Sequence, residues 1–120
     1  MAGRFYQLVV DSTDPASLAR FWTAVLGLQI LYEAPDEVII GTGPNDYPGI
    51  CFVPVAEPKT AKNRLHIDID PDDRDAEVQR LLALGARQVD VGQGEVSWVV
   101  LADPEGNEFC VLRPHRSLVE

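Results

Sequence analysis

The sequence has few cationic side chains and no long apolar run. Lysine and arginine total 10 against 19 aspartate and glutamate residues, so the 120-residue chain carries a formal net charge of −9. Such a chain would be repelled by a phosphate backbone, and nucleic-acid binding is therefore disfavoured. No apolar run approaches the roughly 20 residues that span a bilayer. We therefore expect neither a nucleic acid nor a membrane as partner.

Targeting and disulfide signals are also scarce. The first ten residues, MAGRFYQLVV, pass directly into a strand-like segment without the apolar stretch and cleavage site of a secretory leader. Two cysteines do not make a disulfide framework, so a reduced, cytoplasmic setting is expected. The composition, 46% hydrophobic and 24% charged, is that of a globular protein, and the length predicts a single domain over 1–120.

Eight strand-like stretches and two helical ones follow in the order strand, helix and three strands, repeated once. The first helix is predicted from Asp14, a suitable N-cap, through Pro15 to a stop at Gly27. The second is predicted to start at 70–72 and to stop at Gly85. The predicted strands lie near 4–11, 28–33, 37–42, 49–55, 64–70, 86–91, 96–102 and 108–113.

The two halves share a nearly constant offset. Gln7 and His66 are 59 positions apart, and so are Cys51 and Cys110. This register predicts half-modules at about 4–57 and 63–113. Because side chains alternate between the faces of a strand, these four residues fall on the face opposite the apolar, helix-packed one. Paired halves would bring them together, and a mixed polar face of this kind suits a half-open barrel around a cavity.

Three segments carry a resemblance to a known superfamily. They are YQLVVDSTDPASLARFWTAVLGL at the start, RLHIDID in the middle and DPEGNEFCVL near the end, which together span about 4–113. With them the chain resembles the vicinal oxygen chelate superfamily, which includes glyoxalase I, extradiol dioxygenases and bleomycin-resistance proteins. The resemblance implies an α+β fold, in which two βαβββ modules form a half-open mixed β-barrel around one cavity with helices outside. It also implies a homodimer.

Metal enzymes of that superfamily hold a divalent ion with one residue from each of four strands, typically His or Gln, Glu, His and Glu. By position, the resemblance assigns these slots to Gln7, Cys51, His66 and Cys110. Neither glutamate is present, and hard ions such as Mg²⁺ prefer carboxylate oxygen. Thiolate and imidazole ligands favour zinc or another soft divalent ion. Standard methylglyoxal detoxification is not expected, because the usual catalytic glutamate is absent.

Two functions stay open for this small-molecule protein. One is an enzyme, a lyase, isomerase or dioxygenase acting on a small oxygenated metabolite, with His66 as metal ligand or as acid and base. The other is a metal-free protein of the bleomycin-resistance type that sequesters a drug or metabolite, which the missing glutamates favour. A regulatory domain is a third possibility without a supporting motif.

The candidate residues also have structural interpretations. His66 is either functional or a hydrogen-bonded core histidine, and the two cysteines are either ligands or small buried apolar residues. Lys59, Lys62 and Arg64 form a local basic patch, which either receives an anionic group or is a solvated linker. The candidates for contact with a substrate are Gln7, Arg64, Asp68 and Trp98. A salt bridge at the rim is the alternative for Arg64 and Asp68. Trp98 is a candidate for the wall of the pocket, where a flat aromatic surface suits a planar ligand, and the sequence does not fix the face on which it lies.

Overall fold

The computed structural model describes residues 2–119, which divide into two compact units. The first unit ends at Pro58 and the second begins at Lys59. Each consists of one helix and one four-stranded mixed sheet in the described residues. None of the helices within 2–119 is long and apolar enough to cross a membrane.

The first unit is a βαβββ module. Its strand β1 leads into helix α1, which is followed by a meander of β2, β3 and β4. The sheet order is β1-β4-β3-β2, in which β1 pairs with β4 in parallel and the other pairs are antiparallel. The bounds are β1 Gln7–Ser12, α1 Pro15–Leu26, β2 Gln29–Ala34, β3 Glu37–Gly41 and β4 Gly49–Pro54.

Helix α1 begins and ends as predicted from the sequence. The Asp14 carboxylate accepts a hydrogen bond from the Ser17 amide, and Pro15 occupies the first helical turn. The helix ends at Gly27, whose φ of 67° is left-handed and suits a residue without a Cβ. Its buried face packs on β3 and β4, and the core there consists of Leu18, Phe21, Trp22, Val38, Ile40 and Phe52.

The second unit repeats the same topology. Its sheet order is β5-β8-β7-β6, with β5 parallel to β8 and the remaining pairs antiparallel. The bounds are β5 Ile67–Ile69, α2 Arg74–Leu84, β6 Arg87–Gln88, β7 Val99–Ala102 and β8 Glu108–Val111. The predicted α+β class with two βαβββ modules is therefore confirmed. The described strands form two separate sheets and do not close into one barrel.

Several elements of the second unit differ from the sequence-based expectation. Strands β6 (Arg87–Gln88) and β7 (Val99–Ala102) are shorter than the strands predicted over 86–91 and 96–102. Helix α2 is capped by Asp73, whose carboxylate accepts from the Ala76 amide, so it begins later than predicted. Asp70 instead accepts a hydrogen bond from the His115 amide at 2.8 Å. The strand predicted over 64–70 begins only at Ile67, and Leu65 is exposed rather than packed against a helix. That both units form a single domain over 1–120 stays a prediction.

Candidate functional site

The second sheet has one apolar face and one mixed face. Phe109 and Leu101 are register partners and are fully buried on the apolar face. The neighbouring residue Cys110 pairs with Asp68 of β5 on one side and with Val100 of β7 on the other. Since successive side chains alternate, Cys110 and Asp68 share the opposite face, and their Cβ atoms are direct neighbours across the ladder.

His66 completes a three-residue cluster on this face. It lies two residues before Asp68, and its Nε2 is 3.2 Å from Asp68 Oδ1. One ligand atom each from His66, Asp68 and Cys110 lies within 4.8 Å of the others. The side chains of His66 and Asp68 are 43% and 51% exposed, whereas Cys110 is buried. The cluster therefore has a buried sulfur at its base and two polar ligand groups open to solvent.

The electrostatic surroundings favour the protonated thiol of Cys110. Burial raises the pKa of the Cys110 thiol, and the charge of Asp68 and a hydrogen bond to it raise this pKa further. The charge of Lys62 acts in the opposite direction. A metal ligand must be the thiolate, so a cation bound here would have to displace the thiol proton.

The cluster has the chemistry of a zinc site. Zinc is bound by imidazole nitrogen, thiolate sulfur and carboxylate oxygen, and its catalytic sites use three protein ligands with a fourth position open. His66, Asp68 and Cys110 supply one donor of each kind, and the exposed side leaves room for a further ligand. Mg²⁺ and Ca²⁺ would need several more oxygen donors. The residues therefore fit a soft divalent ion.

Gln7 and Cys51 occupy the matching positions of the first unit. Val9 of β1 is the register partner of Cys51 in β4, and Gln7 precedes Val9 by two residues, as His66 precedes Asp68. The register of the first sheet thus matches the offset seen in the sequence. The structure brings His66 and Cys110 together and places Gln7 and Cys51 on one face of the other sheet. That all four form one site stays a prediction.

Cys51 has a carboxylate neighbour that sequence analysis missed. Its Sγ donates a hydrogen bond to Glu37 Oε2 at 3.7 Å, from the start of β3. Burial raises the pKa of the Cys51 thiol, and the charge and hydrogen bond of Glu37 raise it further. Each cysteine therefore lies next to one carboxylate, and both thiols are held in their neutral form.

The remaining candidate residues, Arg64 and Trp98, are exposed and lie outside the strands. Arg64 is exposed and precedes His66 by two residues. Trp98 is 39% exposed and precedes Val100, the partner of Cys110, by two residues. The sequence predicts a basic patch of Lys59, Lys62 and Arg64. In the structure, the charge of Lys59 is paired with Glu108 at 2.8 Å.

Glu108 is a second residue that sequence analysis missed. It lies two residues before Cys110 in β8, and its side chain is only 14% exposed. Its carboxylate accepts hydrogen bonds from Lys59 Nζ at 2.8 Å and from the Asn63 amide at 2.9 Å. Burial acts to raise the pKa of Glu108, but the hydrogen bonds and the Lys59 charge outweigh burial and hold this pKa below its usual value. A charged residue in an otherwise apolar strand was the available signal.

Comparison with known proteins agrees with the fold and the motifs. A family model described as a glyoxalase-like domain matches residues 7–112. The chain belongs to the glyoxalase-like family. No match was found among curated protein sequences.

Solved structures give the same fold for this glyoxalase-like protein. A glyoxalase/bleomycin resistance protein/dioxygenase family enzyme from Burkholderia phytofirmans PsJN aligns with a TM-score of 0.73 and 18% identity, covering 94% of this chain and 100% of that chain. The trypanothione-dependent glyoxalase I of Leishmania major aligns with a TM-score of 0.66 and 16% identity, covering 93% and 87%. The fosfomycin resistance protein FosX of Listeria monocytogenes aligns with a TM-score of 0.70 and 15% identity, covering 96% and 94%. At these identities the likeness shows the vicinal oxygen chelate fold and not the activity.

Proposed function

We propose that this glyoxalase-like protein binds zinc, or another soft divalent ion, at His66, Asp68 and Cys110 and acts on a small oxygenated metabolite. With zinc, the reaction class we propose is a lyase or isomerase step; a dioxygenase step would need a redox-active divalent ion in its place. The observation that carries the proposal is the convergence of one nitrogen, one oxygen and one sulfur donor within 4.8 Å. A homodimer, which the resemblance implies, and a cytoplasmic location, which the cysteine content indicates, stay predictions.

The side chains have distinct tasks under this proposal. Cys110 and His66 hold the ion, and Asp68 either completes the ligand set or orients the imidazole through its 3.2 Å contact. When bound, zinc would act as a Lewis acid toward an oxygen of the metabolite. The resemblance also implies ligand roles for Gln7 and Cys51 of the first unit. These roles are not part of the proposed three-residue centre and stay a prediction, which Cys51→Ser tests.

Two exposed residues are proposed to contact the metabolite. Trp98 offers an exposed flat aromatic surface two residues before Val100, and Arg64 offers a planar cation close to His66 in the chain. Lys62, whose charge acts on Cys110, is a second cation near the cluster. These groups suit a small ligand with oxygen atoms and an aromatic or anionic part.

Metal content and variants test the proposal together. The protein is purified without chelator, and zinc is measured by elemental analysis in the wild type and in His66→Ala, Cys110→Ser and Cys51→Ser. Cys51→Ser is the matched control, because it makes the same change at the equivalent position of the first unit.

Each outcome has a definite meaning. Zinc lost from His66→Ala and Cys110→Ser, but kept by Cys51→Ser, supports the three-residue centre. Equal loss in both serine variants supports the four-strand site that includes Cys51 and Gln7. A wild type that binds neither zinc nor another soft divalent ion at micromolar concentration contradicts the metal proposal.

One observation favours a second candidate, a metal-free protein that sequesters a drug or metabolite. Burial and Asp68 raise the pKa of the Cys110 thiol, which opposes formation of the thiolate that a metal needs. Under this alternative, His66 and Asp68 are polar contacts for the ligand and Trp98 stacks on it. Tight binding of a cationic aromatic compound by metal-free protein, unchanged in Cys110→Ser, would support sequestration over metal chemistry.

A further inference from the structure

The chain segment that leads into the cluster is fastened to β8 before it reaches His66. Lys59 and Asn63 both donate to the carboxylate of Glu108, at 2.8 and 2.9 Å. Asn63 also donates through its side chain to Asn107 Oδ1 at 2.8 Å. The side chains of Lys59 and Glu108 are 19% and 14% exposed, so this is the least exposed of the described ion pairs. We call Lys59, Asn63 and Glu108 the clamp.

The turn before β8 supports the clamp in its place. Asn107, which accepts from Asn63, donates from its own side chain to both oxygens of Asp103 at 2.9 and 3.2 Å. Asp103 is completely buried and also accepts from the backbone amides of Glu105 and Asn107. The clamp therefore adjoins a turn that is held by four hydrogen bonds to the Asp103 carboxylate.

The clamp is close in sequence to two residues of the candidate centre. Glu108 precedes Cys110 by two residues in the same strand, so both side chains lie on one face. Asn63 precedes His66 by three residues, which reach at most about 10 Å even when fully extended. His66 itself lies just outside β5, which begins at Ile67. Its backbone is thus restrained by the ladder on one side and by the clamp on the other.

We infer that Glu108 is a positioning residue, which holds His66 against Asp68 and Cys110 through Lys59 and Asn63. Where this concerns the ion, it rests on the proposed function. Residues that hold metal ligands in place typically contribute about 10–100-fold to metal affinity. If the ion pair were purely structural, its loss would lower the stability of the second unit but would not change the position of His66 relative to Asp68 and Cys110.

The test compares Glu108→Ala and Glu108→Gln with Glu77→Gln. Glu77 is the matched control, because it is also an ion-paired glutamate of the second unit whose pKa is lowered, by its hydrogen bond with Arg80. Glu108→Gln keeps an oxygen for the Asn63 amide and gives a milder change if Glu108→Ala folds poorly. Two readouts are used. One is the zinc dissociation constant, and the other, in metal-free protein, is the nuclear Overhauser effect between the His66 ring and the β-protons of Cys110.

Glu108→Ala is expected to weaken zinc binding about 10–100-fold and to abolish the Overhauser effect, with Glu108→Gln intermediate and Glu77→Gln close to the wild type. An unchanged Overhauser effect and unchanged affinity in both Glu108 variants would overturn the inference.

The two proposals can fail separately. If the wild type binds no zinc, the metal proposal fails, and the Overhauser effect in metal-free protein decides the positioning role by itself. Its disappearance in the Glu108 variants, together with its persistence in Glu77→Gln, would still support that role. Its persistence in all variants would overturn it.

Discussion

Replacing Lys59 with methionine removes the charge of the clamp but keeps the apolar stem of the side chain. Lys59 Nζ is 2.8 Å from Glu108 Oε2, and the two side chains are only 19% and 14% exposed. Charged hydrogen bonds contribute about 1.5–3 kcal/mol, and the loss here also leaves the Glu108 carboxylate with one donor fewer. We expect the free energy of unfolding to fall by about 2 kcal/mol, or roughly 6–12 °C in Tm at this chain length.

The control for this variant is Arg20→Met. Arg20 pairs with Glu33 at 3.2 Å, but these side chains are 59% and 41% exposed, so the pair is worth only about 0–1 kcal/mol. Thermal and urea unfolding followed by circular dichroism give both values. If Lys59→Met were no more destabilising than Arg20→Met, burial would not be what makes the clamp stronger than an exposed ion pair.

The pH dependence gives a second check on the same pair. The pKa of Glu108 is lowered in the folded state, so its contribution to stability is present above the unfolded value of about 4.3 and is lost as pH falls through the folded value. The difference in stability between wild type and Lys59→Met should therefore shrink as the solution is acidified below about pH 4. A difference that stays constant down to about pH 2.5 would show that the Glu108 charge is not involved.

Two further predictions concern the thiols and the turn. Because the folded state raises the pKa of Cys51 and Cys110, their contribution is fully present below the unfolded value of about 8.5 and is lost as pH rises above it. The free energy of unfolding, measured in urea, should fall less between about pH 7.5 and 9.5 in the double variant Cys51→Ser/Cys110→Ser than in the wild type. An equal fall in both proteins would contradict this. Asp103→Ala should lower the free energy of unfolding by about 3 kcal/mol, because the amides of Glu105 and Asn107 lose the carboxylate to which they donate. Melting within about 2 °C of wild type would contradict the role of this turn.

Local signals allowed much of the fold to be predicted. The cap at Asp14, the proline at the first turn and the glycine at its end are neighbours in sequence, and each acts through its own backbone geometry. The repeated order of elements, and the 59-residue offset between Gln7 and His66 in the two halves, could also be predicted. Both depend on periodicity and spacing, which are visible in the sequence itself.

The parts of the site that were missed depend on contacts between distant residues. Glu37 and Cys51 are 14 positions apart, and Lys59 and Glu108 are 49 apart. No spacing rule connects such pairs, because their approach is set by strand register and by the turn that precedes β8. Asp68 was readable in part, since its alternation with His66 placed both on one face, but its position beside Cys110 required the β5–β8 register.

X-ray absorption at the zinc edge, on protein loaded with one equivalent of zinc, reports the ligand atoms of the His66, Asp68 and Cys110 centre. We expect one sulfur at about 2.3 Å, with nitrogen and oxygen ligands at about 2.0–2.1 Å. The sulfur should disappear in Cys110→Ser and remain in Cys51→Ser. A spectrum without sulfur, or one unaffected by Cys110→Ser, would contradict a zinc centre built on His66, Asp68 and Cys110.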